Sequence, residues 1–344
     1  MIERKTVLLI YTGGTIGMVK EPKTGSLTAF DFKGLQKKIP ELFLLDCEIV
    51  TIAFKQPIDS SNINPLYWVK IARLIGENYA KFDGFVVLHG SDTMSYTASA
   101  LSFMLENLQK PVVLTGSQLP IGDLRTDAKE NLITAIQITS LYESGEPVIR
   151  EVCLYFEYKL YRGNRTTKIN TDHFQAFRSM NYPTLIESGV TLKINHPYLL
   201  LPSRKEKLIV HTEMNTNVGV LKLFPGIGQS FIQSVLNATA LEALVLETYG
   251  AGNAFTDEWF ISVLAEAIQN GLHIINVSQC IGGGVIMGQY QTSEPLKKIQ
   301  LINGKDLTTE AAVTKAMYLL GKGCSARQFR QFFEASLRGE MLEN

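Results

Sequence analysis

Residues 6–17 read TVLLIYTGGTIG, and residues 84–93 read GFVVLHGSDT. In each, a run of consecutive apolar residues gives way to a short loop of glycine and hydroxyl side chains. Continuous apolar runs of this kind are strands buried on both faces, as in parallel sheets covered by helices. Open α/β sheets bind ligands at the carboxyl ends of such strands. Two hydroxyl-bearing loops, at 12–17 and 89–93, would meet there in one crevice if their strands are neighbours. Such loops can supply a hydroxyl nucleophile and backbone N–H donors for an oxyanion.

Outward from these loops, strand-like and helical runs alternate. Asn64-Pro65 reads as an N-cap followed by proline at the first helical position. Val69, Ala72, Ile75 and Tyr79 then recur at helical spacing, and Met94, Ala98, Leu101 and Leu105 form a second stripe. A strand follows at 111–114, a helix at 128–141 and a strand at 151–156. This alternation predicts parallel βαβ units. The pattern breaks at 194–207, where Pro197, Pro202 and the charged run Arg204-Lys205-Glu206-Lys207 read as a linker. Beyond it, strands at 208–211, 218–223, 243–248 and 273–277 mix with helices at 257–270, 308–320 and 326–337. The expected architecture is α/β throughout. A larger N-terminal catalytic domain at 1–194, built on an open, mostly parallel sheet, is joined by the linker at 195–207 to a smaller α/β domain at 208–344.

The 344 residues are 45% hydrophobic and 19% charged, and 33 basic residues balance 33 acidic ones. A zero net charge argues against a nucleic-acid partner, which usually needs a basic excess. The four cysteines, Cys47, Cys153, Cys280 and Cys324, form no CxxC pair, and the five histidines lack ligand spacing. No metal and no cofactor are therefore expected. The charged start, Met1 to Lys5, precedes only a short apolar strand, and no stretch approaches the ~20 apolar residues of a membrane span. The chain reads as cytoplasmic, with no membrane attachment.

The loops admit more than one chemistry. The glycine turn at 12–17 is neither G-x-G-x-x-G nor a P-loop, since no lysine follows. It is a ligand-binding loop or a structural turn around a buried threonine. Asp92 lies between two hydroxyl residues just past a buried strand, a costly place unless its carboxylate meets a cation or several N–H groups. Asp59-Ser60-Ser61-Asn62 is a polar loop leading into a helix, or a set of hydroxyls and a carboxylate for a polar ligand. The stretch from Arg162 to Lys168 is a solvated basic loop, or it holds a lysine desolvated enough to act as a base.

Taken together, these segments resemble the bacterial-type L-asparaginases, most closely their cytoplasmic type I branch. The resemblance extends over nearly the whole chain. It rests on TGGTIG at 12–17, DSS at 59–61, HGSDTMSYTASALSFMLENL at 89–108, TGSQLP at 115–120, YRGNRTTK at 161–168, YGAGNA at 249–254 and LRGEM at 337–341. It implies hydrolysis of the small molecule L-asparagine to aspartate and ammonia through a threonine acyl-enzyme. Thr15 takes the place of the nucleophile, and Ser91, Asp92 and Lys168 that of the second catalytic group. Asp59, Ser60, Ser61, Ser91 and Asp92 fall at substrate-binding positions, with Asp92 on the α-amino group. An intimate homodimer or a dimer of dimers is implied, with Asn253 contributed by a neighbouring subunit. Residues 18–29 are expected to form a lid that excludes water.

Other readings stay open: a glutaminase-asparaginase, the amidase subunit that frees ammonia for tRNA-dependent glutamine synthesis, or a non-catalytic amino-acid sensor that has kept the pocket. Three departures from the family pattern stand out. Ser91 occupies a place where the family usually has threonine; the hydroxyl is kept, but the methyl that restricts its rotamer is lost. Many members carry a tyrosine on the lid, whereas 20–29 has none and places Ser26 there, so the group that activates Thr15 is open. Some type I members bind a regulatory asparagine with an arginine; here that position is Glu247, although Cys280 is retained.

Overall fold

The computed structural model describes residues 4–20, 27–29, 39–202, 206–289 and 291–343. The chain forms two compact units that divide after Thr212. The first is built on an eight-stranded sheet. Its strands are β1 (Lys5–Gly13), β2 (Cys47–Ile58), β3 (Gly84–Leu88), β4 (Val112–Thr115), β5 (Val152–Phe156), β6 (Lys159–Arg162), β7 (Ile186–Ser188) and β8 (Leu192–Ile194). They lie in the order β8-β7-β6-β5-β4-β3-β1-β2. From β5 through β2 all neighbours are parallel, and β6, β7 and β8 add antiparallel pairs at one edge. The chain leaves β1 toward β2 on one side and returns as β3 on the other. The order reverses at β1, so the carboxyl ends of β1 and β3 flank the topological switch point where such sheets bind ligands.

The apolar runs are buried as their composition demands. Val7 to Ile10, Phe85 to Leu88 and Val112 to Leu114 are fully shielded. Successive side chains point to opposite faces. Val7, Leu9, Val86 and Val113 share a core with Leu132, Ala135 and Ile136 of the helix Ala128–Thr139. The helix Pro65–Asn78 begins as its sequence predicts, with Pro65 in its first turn and the Asn64 side chain accepting from Leu66 N at 3.0 Å. Its buried face is Trp68, Ile71, Ala72 and Ile75. Val69 and Tyr79 of the expected stripe are only half-buried, and the Tyr79 hydroxyl accepts from Gln109 N at 2.7 Å. The helix Met94–Met104 is buried on nearly every side, so its apolar stripe does not define one face.

The division after Thr212 corrects the expected linker at 195–207. Leu199 packs on the core of the first unit. Arg162 Nη2 donates to Tyr198 O at 2.9 Å, and Leu200 N donates to the Glu151 carboxylate at 2.8 Å. Ile209–Val210 then pairs antiparallel with Leu105–Glu106, which places the strand expected at 208–211 in the first unit. In the expected lid, Met18–Lys20 pairs antiparallel with Leu27–Ala29. Residues 21–26, including Ser26, lie outside the described residues.

The second unit has a four-stranded parallel sheet, Val218–Lys222, Ala243–Thr248, His273–Ser278 and Ile302–Asn303, in that order. Among its helices are Glu258–Gln269, Thr309–Gly321 and Ala326–Phe333. The last stops short of the expected residue 337. The fully buried Lys315 ammonium takes Phe333 O at 2.9 Å, Ala335 O at 2.6 Å and the Glu340 carboxylate. A buried cation needs several oxygen partners, and the turn after Phe333 supplies them in place of another helical turn.

Candidate active site

Three loops of the first unit meet at the switch point. After β1, Gly13 and Gly14 turn the chain and Thr15 opens a single 3₁₀ turn, Thr15–Gly17. Gly14 has a φ of 89°, and a Cβ built on it would lie 2.5 Å from Gly90 N. Glycine is required there twice over, by its left-handed backbone and by the contact between the two loops. The carboxyl end of β2 arrives from the other side, with Ile58 in register with Gly13. The third loop leaves β2 through Asp59 into the turn Ser60–Asn62. Its backbone is held by the Asp59 carboxylate, which accepts from Ser61 N at 2.8 Å, and by Thr93 Oγ1, which donates to Ser60 O at 2.7 Å. The Ser60 hydroxyl lies against Gly90, and Ser60 is only 4% exposed. Thr12 donates to Leu88 O at 2.8 Å and ties the ends of β1 and β3 together.

The Ser91 loop carries the charged group. Lys168 Nζ donates to Ser91 Oγ at 2.8 Å and to Asp92 Oδ1 at 2.6 Å. The lysine side chain is 16% exposed and that of Asp92 61% exposed. Asp92 is an exposed carboxylate, and the cationic partner expected for it is the lysine that the sequence places in a separate loop. Lys168 reaches this point because β6 runs back antiparallel along β5 and the turn Gly163–Arg165 redirects the chain to Thr167–Lys168.

Beneath the loop lies a buried polar chain that sequence reasoning did not find. Trp68 Nε1 donates to Thr97 Oγ1 at 3.0 Å, and Thr97 Oγ1 lies 2.9 Å from His89 Nε2. His89 Nδ1 lies 2.7 Å from Gly90 O. A carbonyl can only accept, so Nδ1 carries the proton and Nε2 accepts from Thr97. Burial pushes His89 down to about 4, against the smaller opposing pull of the Gly90 carbonyl, and the ring is neutral at pH 7. Gln118, just past β4, is a second residue that the reading of single loops missed. Ser91 Oγ donates to its Oε1 at 3.1 Å. Its position after a third parallel strand was the available signal.

Asn253 belongs to the second unit. It follows Gly252 in a turn where Tyr249 and Asn253 exchange two backbone hydrogen bonds of 2.8 Å, and its Oδ1 accepts from Thr292 Oγ1 at 3.0 Å. Among the described residues, no group of three or more histidine, cysteine, aspartate or glutamate side chains could hold a metal. No helix among them is long and apolar enough to cross a membrane.

Comparison with known proteins covers both units. A sequence profile of the asparaginase N-terminal domain matches residues 6–199, and one of the glutaminase/asparaginase C-terminal domain matches residues 217–333. L-asparaginase 1 of Escherichia coli is 40% identical over 342 residues, spanning 99% of both chains. The 60 kDa lysophospholipase of Mus musculus is also 40% identical, over 98% of this chain and 62% of that protein. The crystal structure of L-asparaginase I from Vibrio cholerae superposes with a TM-score of 0.90 at 37% identity, covering 99% of this chain and all of that one.

Proposed function

The chain belongs to the asparaginase family, and from that premise we propose that it hydrolyses free L-asparagine to L-aspartate and ammonia through an acyl-enzyme on Thr15. The observation that carries this reading is the meeting of the Thr15 turn with the Ser91-Asp92 loop, on which Lys168 rests at 2.8 Å and 2.6 Å. An amide is a poor electrophile, and a covalent intermediate divides one difficult step into two. The Thr15 hydroxyl attacks the side-chain carbonyl carbon, and the oxyanion is held by backbone N–H groups of the two glycine turns. The Thr15 proton passes through Ser91 to Lys168 and back to the amide nitrogen, so that the C–N bond breaks with ammonia as the leaving group. Water then attacks the Thr15 ester, and its proton crosses the same relay to Thr15 Oγ as the C–O bond breaks, freeing aspartate and regenerating the hydroxyl.

The crevice also has a place for the rest of the substrate. The exposed Asp92 carboxylate receives the α-ammonium, while Asp59, Ser60 and Ser61 border the other side. Asn253 of a neighbouring subunit completes the site in a homodimer or dimer of dimers, and the segment at 18–29 closes over it in the cytoplasm of the cell. The glutaminase and sensor readings have no observation of their own in the crevice.

Ammonia release by the purified protein, with asparagine and glutamine in parallel, tests the reading. Thr15→Ala should abolish release from asparagine while the far-UV spectrum stays unchanged. One extra methylene in a fitted pocket is worth roughly 10–200-fold, so asparagine should lead glutamine by about that factor in kcat/KM. Turnover by Thr15→Ala at the wild-type rate would overturn the nucleophile, and equal kcat/KM values would make the enzyme a glutaminase-asparaginase.

A further inference from the structure

A serine hydroxyl is a loosely defined catalytic group. Its side chain has three staggered χ1 wells, so the oxygen stands at the relay in roughly one of three. A threonine methyl at this place would settle χ1. Ser91 has no such methyl, and its relay to Lys168 depends on one arrangement being held by something else.

Gln118 has the geometry to hold it. Its Nε2 donates to two main-chain carbonyls, Thr171 O at 3.1 Å and His173 O at 3.0 Å, in the segment that follows Lys168. Both amide hydrogens are thereby spent, and the orientation of the carboxamide is forced: Oε1 faces Ser91 Oγ at 3.1 Å. That oxygen has no hydrogen, so Ser91 must donate to it. In this resting arrangement Ser91 meets Lys168 through a lone pair, the direction in which Lys168 Nζ donates at 2.8 Å, and rotation about Cβ–Oγ turns its O–H from Gln118 into the relay without moving the oxygen. The backbone of Gln118 is fixed as firmly as its side chain. Gln118 N and Leu119 N donate to the Asp127 carboxylate at 2.9 Å and 3.1 Å, and Asn131 Nδ2 donates to Asp127 at 3.2 Å and to Gly116 O at 3.0 Å. Gly116 itself packs against the carbonyl of His89, two residues before Ser91.

We propose that Gln118 is the positioning residue of this site: its carboxamide oxygen anchors the χ1 rotamer of Ser91 before the relay acts, supplying the constraint that a threonine methyl would otherwise provide. The inference rests on the hydrolase reading above. It also explains how a serine serves in the relay, since Gln118 ties Ser91 to the chain segment that carries Lys168.

The test is a double-mutant cycle on steady-state ammonia release from asparagine, with kcat and KM read separately. In the wild-type background, Gln118→Met should lower kcat by roughly 3-fold with little change in KM, because three χ1 wells replace one. In the Ser91→Thr background, where χ1 is already set, the same substitution should leave kcat nearly unchanged. Gln118→Asn keeps the amide but is one methylene too short to span the gap; it should give the same pattern and serves if the methionine variant does not fold. Equal factors in the two backgrounds, or a loss confined to KM, would overturn the inference. A wild-type protein that releases no ammonia from asparagine would defeat the hydrolase reading and this inference with it. An active wild type matched by Gln118→Met would defeat the inference alone.

Discussion

Across 77 positions of sequence, Lys168 reaches Ser91 at 2.8 Å, and the same ammonium pairs with Asp92 at 2.6 Å. At the scale of the residue, the site is this contact. In the proposed reaction this pair works as a unit: with either member gone, the other has nothing to pass a proton to. Ser91→Ala and Lys168→Met should therefore each lower kcat by roughly 10²–10⁴, the usual range for a general acid–base group. The double mutant should fall little further than the worse single variant. Steady-state kinetics on the four proteins decides the matter; a double-mutant loss equal to the product of the single losses would mean that the two residues act separately. The fold should survive these changes, because Asp92 is open to water and does not leave a buried charge behind.

At the scale of the element, the Ser91 loop is hung from β3 by the chain from Trp68 through Thr97 to His89. This network makes stability depend on pH, and the sign follows from burial. His89 titrates at about 4 in the folded protein, against 6.5 when free, so protons bind the unfolded chain more readily. Its contribution is fully present above pH 6.5 and is lost as the pH falls toward 4. By linkage, the loss amounts to about 3 kcal/mol. Urea unfolding of the wild type and His89→Gln at pH 7, 5.5 and 4.5 should show the wild-type advantage shrinking at each step. An advantage that stays constant with pH would show that His89 is not held neutral by its surroundings.

At the scale of the whole molecule, the question is whether one active site informs another. Glu247 stands where a regulatory arginine would be needed. Its Oε1 accepts from Thr309 Oγ1 at 2.5 Å, its Oε2 lies 3.9 Å from Lys222 Nζ, and its side chain is 14% exposed. A second asparagine bound there would bring its α-carboxylate to a half-shielded carboxylate rather than to a guanidinium fork, and repulsion grows as water is removed. The rate should therefore depend hyperbolically on asparagine, without cooperativity. Velocity curves over a wide concentration range test this. A sigmoidal curve that becomes hyperbolic on Cys280→Trp would establish a second site after all.

The strands, the two glycine loops and the α/β class were legible because they rest on local chemistry. A run such as Val7 to Ile10 can only be buried, and Gly13-Gly14 can only turn. The same holds for the cap at Asn64-Pro65. What local chemistry could not reveal was set by partners distant in sequence. The strand at Ile209–Val210 reads as an ordinary apolar run, and only its pairing with Leu105–Glu106 assigns it to the first unit. The helix from Ala326 has a pattern that could continue to 337, but a buried ammonium draws off its last carbonyls. Asp92 asks for a cation by its place just past a buried strand, but that the cation is Lys168, 76 positions on, only the tertiary structure decides. In the candidate site, Thr15, Ser60, Ser91 and Lys168 each announce themselves by a loop past a strand. Their meeting depends on the reversal of strand order at β1. The hydrogen bond from Ser91 to Gln118 is a matter of ångströms between side chains 27 residues apart, which no pattern along the chain encodes.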